Sequence, residues 1–227
     1  MSLYLWVLIC SGLVPLLYSF HAKLKFYKYW PSLFSAIFLV AIPYLIWDWY
    51  FTEKAYWGFN DAYLMGIRFW NLPLEEILFF VVIPYCCVFT FYSLKYYFPA
   101  LRFSKKMTFL WAVLLLSISI VLLVKYWDLP YALVNFLSLI FVLTTVLLYD
   151  WKLLSVYFWI FPIILFPFFM VNGVLTGLGI ENEIVWYNPD VLMGWRIATI
   201  PVEDVFYAFT MVLSNLFFMK ILESKST

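Results

Sequence analysis

Long apolar runs, separated by short polar segments, make up most of the chain. A helix of about 18 residues rises roughly 27 Å, close to the roughly 30 Å hydrocarbon core of a lipid bilayer. Runs of this length predict an all-α polytopic membrane helix bundle. About seven transmembrane helices are expected, at about residues 3–20, 31–51, 73–96, 108–126, 130–149, 153–175 and 201–221.

The composition supports this interpretation. Hydrophobic residues make up 67% of the chain and charged residues only 12%, too few to cover the surface of a soluble domain of 227 residues. We therefore expect the lipid bilayer to surround the protein. The formal net charge is +1, so the charge balance does not indicate a nucleic-acid partner.

The basic residues predict the orientation of the helices. Cytoplasmic loops of membrane proteins carry an excess of lysine and arginine. With seven helices, one side holds four basic residues and the other side holds ten, so we expect an external N-terminus and a cytoplasmic C-terminus, in the plasma membrane. The ten are Lys23, Lys25, Lys28, Lys95, Arg102, Lys105, Lys106, Lys152, Lys220 and Lys225.

The segment before the third predicted helix is repeated before the seventh. Residues 64–68 (LMGIR) and 72–77 (LPLEEI) recur as 192–196 (LMGWR) and 200–205 (IPVEDV), each 128 residues later. The sequence therefore predicts one membrane domain, 1–227, with repeat 1 at about 1–100, a linker helix at about 104–127 and repeat 2 at about 128–222. Four helices separate equivalent positions, and this even number makes the two three-helix repeats parallel.

Each copy of the motif places two adjacent carboxyl side chains in the first turn of a helix: Glu75 and Glu76 in one copy, Glu203 and Asp204 in the other. A single acid at this position caps the helix, with Arg68 or Arg196 as an ion-pair partner. Two adjacent acids point about 100° apart on a helix, so at least one of each pair is expected to face the bundle. Ionisable groups inside a membrane are costly, roughly 2.5–3.5 kcal/mol each near its centre, which favours a functional role.

The chemistry expected of such acids is proton transfer. A carboxylic acid held near like charges in apolar surroundings can stay protonated near neutral pH and act as a general acid. Aromatic residues make up 24% of the chain, and their ring faces stabilise positive charge by about 0.5–2 kcal/mol each. An apolar, aromatic bundle therefore suits a cationic intermediate that water would otherwise quench.

Other motifs are absent from the sequence. No dinucleotide-binding glycine motif, Walker motif or Cys/His cluster is present, so no cofactor and no metal site are predicted. Two alternative functions stay open at this point. One is a hydratase in which water quenches the same cation, and the other is a proton-coupled transporter with parallel repeats.

The duplicated Pro-x-Glu-acid motif, on a duplicated three-helix unit, resembles the membrane-bound lycopene cyclase family, which occurs as two small subunits or as one fused chain. Trp47-Asp48 and Asn172-Gly-x-Leu-Thr176 are also similar to the family. The resemblance covers essentially the whole chain. It implies a flavin-independent carotenoid β-cyclase that converts the acyclic ψ-ends of lycopene to β-ionone rings, an intramolecular, redox-neutral isomerisation.

The resemblance also implies site residues and partners. A carboxylic acid protonates the terminal double bond, an internal double bond attacks the cation, and a ring proton is lost. The implied acid–base set is Glu75, Glu76, Glu203 and Asp204, with a preference for Glu75 and Glu203 because they are identical in both copies. Lycopene or a related carotene is the implied substrate, and association with other carotenoid-pathway enzymes is expected. The supporting candidates are Asp48, Arg68, Asn172 and Arg196.

Overall fold

Six α-helices form most of the part of the chain that the computed structural model describes, residues 2–224. They are α1 (Leu3–Ser19), α2 (Trp30–Glu53), α3 (Leu74–Tyr97), α4 (Lys105–Lys125), α5 (Pro130–Leu175) and α6 (Glu203–Ser224). Lys225, one of the ten basic residues that indicate the orientation, lies outside the described residues.

Five of these helices, α2 to α6, are long and apolar enough to cross a membrane. The first helix, α1, is also apolar but has only 17 residues. The structure is therefore compatible with an integral membrane protein. The number seven stays a prediction, because α5 covers two of the predicted helices and α1 is slightly short.

Helix α5 is interrupted at Asp150, between the two apolar runs that the sequence separates. The backbone of Asp150 leaves the helical region, with φ −151° and ψ 65°. Its carboxyl oxygen Oδ1 accepts a hydrogen bond from the backbone N–H of Leu153 at 3.2 Å, and Oδ2 pairs with the Lys220 ammonium group on α6. Asp150 therefore caps the helix that follows, and α5 is described below as a first half, residues 130–149, and a second half, residues 151–175.

The helices pack around a core of fully buried apolar side chains. Helix α1 packs against α3, α2 packs against α3 and α6, and α4 packs on the outside against α5. Leu33 of α2, Phe136 and Leu154 of α5 and Val212 of α6 are all inaccessible to solvent. Because α2, α3, α5 and α6 contact one another, residues at the ends of these four helices can meet in one site.

Six short strands lie at one end of the bundle, in the connections before α3 and α6. Strand β1 (Trp57–Phe59) pairs antiparallel with β4 (Val185–Tyr187), and this pairing joins the two connections. Two hairpins, β2 (Arg68–Phe69) with β3 (Leu72–Pro73) and β5 (Arg196–Ile197) with β6 (Ile200–Pro201), lead directly into α3 and α6. The all-α prediction did not include these strands, since two or three residues are too few for an alternating pattern.

The two connections have the same construction at an offset of 128 residues. Gly66 and Gly194 both have positive φ, at 82° and 84°, where a residue with a side chain would be strained. The backbone N–H of Leu74 donates to the carbonyl of Ile67 at 2.9 Å, and the equivalent bond from Val202 to Trp195 measures 3.0 Å. Each connection therefore delivers its acidic pair to the start of a helix in the same geometry.

The interruption at Asp150 generates the first prediction. Replacing Asp150 with alanine removes the cap, and we expect a loss of about 0.5–2 kcal/mol in the free energy of unfolding. Asparagine caps helices about as well as aspartate, so the Asp150→Asn variant should lose only the contribution of the Lys220 pair. Thermal unfolding of the detergent-solubilised variants measures both effects, and equal midpoints for wild type and Asp150→Ala would contradict the capping role.

Candidate active site

A small pocket lies beneath the paired strands β1 and β4, where the starts of α1, α3, α5 and α6 meet the ends of α2 and α5. Its cavity volume is about 50 Å³. Three carboxyl side chains from three helices line it: Asp48, Glu76 and Asp204. We call it the acid pocket. Among the described residues no lysine or arginine lines it, so its acids have neutral hydrogen-bond donors and no ion-pair partner there.

Asp204 has the most hydrogen-bond donors of the three acids. The Tyr131 hydroxyl donates to Oδ1 at 2.6 Å, and the Asn172 amide donates to Oδ2 at 2.7 Å. The Tyr187 hydroxyl also donates to Oδ2, at 3.2 Å. Burial, together with the adjacent carboxyl of Asp204, raises the pKa of Tyr187 well above its ordinary value, so this hydroxyl keeps its proton and donates. Hydrogen bonds from three donors stabilise a negative charge on the Asp204 carboxyl group.

Glu76 and Asp48 each have one donor in the structure. The Tyr4 hydroxyl donates to Oε2 of Glu76 at 2.5 Å, and the indole N–H of Trp57 donates to Oδ1 of Asp48 at 2.5 Å. Both carboxyl groups are buried, at 9% and 2% exposure. Oδ2 of Asp48 has no hydrogen-bond partner, although it is inaccessible from outside.

The first acid of each pair does not line the pocket. Oε1 of Glu75 accepts the backbone N–H of Met65 at 2.7 Å and the Ser2 hydroxyl at 2.6 Å. Oε1 of Glu203 accepts the backbone N–H of Met193 at 2.6 Å. Both glutamates are fully buried, so each one fixes the loop of its connection onto the helix start. Glu75 and Glu203, which the sequence favours as the proton-transfer acids, thus lie outside the cavity that Glu76 and Asp204 face.

The two arginines of the motifs lie outside the pocket. Arg68 donates to the carbonyl of Asn71 at 2.7 Å and pairs with Asp61 at 2.6 Å, on an exposed part of the connection. Arg196 donates to the carbonyl of Thr199 at 2.5 Å, also on the surface. Both side chains therefore stabilise the hairpins before α3 and α6, which is a structural role. Of the supporting candidates, Asp48 and Asn172 are in the pocket and the two arginines are not.

Aromatic rings form most of the remaining wall of the acid pocket. The Trp57 and Tyr131 rings meet edge to face, with 5.2 Å between their centroids, and Tyr131 stacks on Tyr187 at 6.2 Å. Tyr207 packs near Tyr131, with centroids 6.5 Å apart. A site with carboxyl groups and ring faces but no basic side chain is suited to a cation.

Of the donors that hold the acids, the sequence indicated only Asn172. Tyr4 and Tyr131 lie in the first turns of α1 and α5, where aromatic side chains are common in membrane helices. They are 127 residues apart, one fewer than the offset of 128 that relates the two motifs. Trp57 and Tyr187 lie in the connections, at the ends of the strand pairing. Extending the repeat upstream pairs Phe59-Asn60 with Tyr187-Asn188, the one sequence signal that could have pointed to Tyr187.

A protein-family model described as lycopene cyclase matches the chain in two segments, residues 1–94 and 128–222, which together cover most of it. The chain belongs to the lycopene cyclase family. Neither a curated protein nor a solved structure shows significant similarity to it. Each matched segment of this lycopene cyclase family member contains one acidic motif, and the unmatched residues 95–127 contain α4. Family membership supports a general lycopene cyclase function in carotenoid biosynthesis.

The contacts of Glu75 and Glu203 predict a difference between two substitutions. Glutamine keeps an oxygen that accepts the backbone N–H of Met65 or Met193, whereas alanine leaves that N–H without an acceptor. We expect Glu75→Ala and Glu203→Ala to lose about 1–3 kcal/mol of stability and the glutamine variants much less. Thermal unfolding in detergent tests this expectation. If alanine and glutamine were equally destabilising, the contact with the loop would not be the role of these side chains.

Proposed function

We propose that the chain is a lycopene β-cyclase whose catalytic centre is the acid pocket. The observation that carries the proposal is the meeting of Asp48, Glu76 and Asp204 in one buried, aromatic cavity without a basic residue. In this proposal an acyclic ψ-end of lycopene occupies the cavity and is converted to a β-ionone ring. The reaction has no net redox change, and the proposal includes no cofactor.

The first step is protonation of the terminal double bond. Asp48 and Glu76 share the role of acid, because each faces the cavity and each has only one donor. Asp48 and Glu76 line the cavity from two different helices, so a proton on either carboxyl group can be delivered to a hydrocarbon in it. The π electrons of the terminal double bond form the new C–H bond and leave a tertiary cation on the substrate.

The second step is ring closure, with the cation held by Asp204 and the aromatic wall. Three donors let Asp204 remain a carboxylate beside a hydrocarbon, and its charge stabilises the cation. The ring faces of Trp57, Tyr131 and Tyr207 add stabilisation of about 0.5–2 kcal/mol each where they face the cation. An internal double bond then attacks the cation and forms the ring C–C bond.

The last step is the loss of a ring proton, which returns the electrons of that C–H bond to a double bond. The Asp48–Glu76 pair, which gave up a proton in the first step, accepts this one and is restored. One proton enters and one leaves, so the product is an isomer of the substrate. Glu75 and Glu203 hold the connections in place, in contrast to the preference drawn from their identity in both copies.

The architecture we propose for the enzyme has seven membrane-spanning helices: α1, α2, α3, α4, the two halves of α5, and α6. The match of the family to residues 1–94 and again to 128–222 supports two parallel repeats joined by α4. The identical construction of the two connections, at an offset of 128 residues, supports it as well. With the N-terminus external, the acid pocket lies near the outer face of the membrane.

Pigment analysis of a lycopene-accumulating bacterium that expresses this chain alone tests the proposed function. We expect new carotenes of unchanged mass with the shortened chromophores of monocyclic or bicyclic products. Products heavier by one water would instead identify a hydratase. Unchanged lycopene, with the protein verified in the membrane, would contradict both assignments.

Variants of the four motif acids test the division of roles within each pair. Removing a general acid or base lowers rates by roughly 10²–10⁴-fold, so Glu76→Gln should yield little cyclised product. Asp204→Asn removes the negative charge that stabilises the cation, and it should also yield little product. The matched controls are Glu75→Gln and Glu203→Gln, which keep their loop contacts and should retain most of the activity. If the controls were inactive although folded, and Glu76→Gln remained active, proton transfer would belong to the first acid of each pair.

A further inference from the structure

An apolar groove opens between α1, α3 and the second half of α5, beside the acid pocket. Its cavity volume is about 260 Å³. Phe79, Phe168 and Asn172 line both cavities, so the groove ends against the wall of the acid pocket. Two other apolar grooves, one against α4 and one between α1, α2 and α3, share no lining residue with the acid pocket. We call the first of these three the side groove.

The side groove is open toward the surroundings of the bundle. Val14 on α1 is 58% exposed, and Cys10 of α1 and Pro167 of α5 are also exposed. These three residues lie at the mouth, within helices that the bilayer would surround. Ile83 and Ile164 are buried and form the floor. A molecule dissolved in the lipid can therefore enter sideways without crossing a polar surface.

The side groove offers little to a polar ligand. No charged residue lines it, and its hydroxyl groups already bond to their own helices. The Ser11 hydroxyl donates to the carbonyl of Val7 at 2.6 Å, and the Thr90 hydroxyl donates to that of Cys86 at 2.8 Å. An uncharged, apolar molecule fits these walls, because it leaves no buried polar group without a partner.

The path from the acids to the far end of the side groove is long and narrow. It follows α3 from Glu76 to Thr90, which is about 21 Å at about 1.5 Å per residue. A linear polyene that spans a hydrocarbon core of about 30 Å would place one end at the acids and more than half of its length in the groove. The other end would remain in the lipid.

The equivalent place in the second half of the protein is closed. At the 128-residue offset, Asn172 and Phe168 correspond to Tyr44 and Val40, and Phe79 corresponds to Tyr207. The Tyr44 hydroxyl donates to Thr210 of α6 at 2.9 Å, and its ring meets Tyr207 edge to face at 5.0 Å. Tyr44 and Val40 are only 7% and 4% exposed. The contacts of Tyr44 with Thr210 and Tyr207 thus join α2 to α6 where α3 and α5 leave a gap.

We propose that the side groove is the substrate entrance, and that it takes one end of a linear polyene hydrocarbon from the lipid at a time. The inference rests on the proposed function for the identity of the polyene, but the groove and its closed counterpart are features of the fold. One entrance to one acid pocket means that the two ends of a symmetric polyene react in separate binding events. A monocyclic product therefore leaves the groove before any bicyclic product forms.

Blocking the mouth of the groove tests the entrance. Cys10→Trp and Val14→Trp add a bulky ring at the mouth, and we expect cyclisation in membranes to fall roughly tenfold or more. The matched control is Leu17→Trp, which adds the same ring to an exposed position of α1 that is 62% exposed and lies outside the groove. Wild-type rates in both mouth variants, at equal protein levels, would overturn the inference.

A binding measurement separates the groove from the chemistry. In a Cys86→Ala, Cys87→Ala background, Cys10 is the only thiol, and a lipophilic maleimide labels it in detergent. Lycopene should slow this labelling, also in the inactive Glu76→Gln variant. It should not slow labelling of a Leu17→Cys reporter that carries Cys10→Ala in the same background.

The possible outcomes distinguish the two proposals. Protection of Cys10 without any cyclised product in the wild type would leave the entrance in place and contradict the cyclase activity. Cyclisation without protection of Cys10, together with active mouth variants, would overturn the entrance and leave the activity in place. Equal protection of both thiols would show general partition of lycopene into the micelle, and it would also contradict a specific groove.

Discussion

Burying carboxyl groups inside an apolar helix bundle is costly unless donors surround them, and this cost shapes one whole end of the protein. Tyr4, Tyr131 and the Trp57 indole lie at the starts of helices or in a connection, and each donates to a different buried acid. The strand pairing of β1 with β4 places Trp57 and Tyr187 over the same cavity. The buried acids, the aromatic side chains and the strand pair above them therefore depend on one another, because each acid needs a hydrogen-bond donor from the other parts.

The two acids of each motif have different roles because adjacent residues of a helix point about 100° apart. Glu75 and Glu203 turn toward the loops and accept backbone N–H groups, and Glu76 and Asp204 turn toward the cavity. The connections before α3 and α6 have the same construction at an offset of 128 residues. The halves then differ at a few positions, such as Tyr44 and Asn172, and these differences give one side of the molecule an opening that the other side lacks.

Hydrophobic patterning predicts the positions of the helices well, because the cost of unsatisfied backbone in lipid leaves few alternatives. The break at Asp150 falls between two apolar runs, and the start of α3 differs from the predicted one by a single residue. The pairing of acids in one site follows from the offset of 128 residues. Which acid of each pair faces the cavity does not follow, since helix rotation depends on the packing of neighbours.

The residues that the sequence did not reveal share one property. Tyr4, Trp57 and Tyr131 are aromatic residues near helix ends, and in a chain with 24% aromatic residues nothing distinguishes them from membrane-interface anchors. Their roles depend on long-range contacts: Tyr4 and Glu76 are 72 residues apart, and Tyr131 and Asp204 are 73 apart. The strands were missed for a similar reason, because their pairing joins segments that are distant along the chain.

The central claim is that the acid pocket adds one proton to the substrate and removes another. Turnover of lycopene by the purified protein in deuterium oxide tests it most directly, because the carbon that gains the proton is not the carbon that loses one. We expect one deuterium in each ring formed, with no other change in mass, and few rings from the Glu76→Gln variant. Rings without deuterium would contradict protonation by an exchangeable acid, and deuterated rings from Glu76→Gln at the wild-type rate would contradict the role of this pocket.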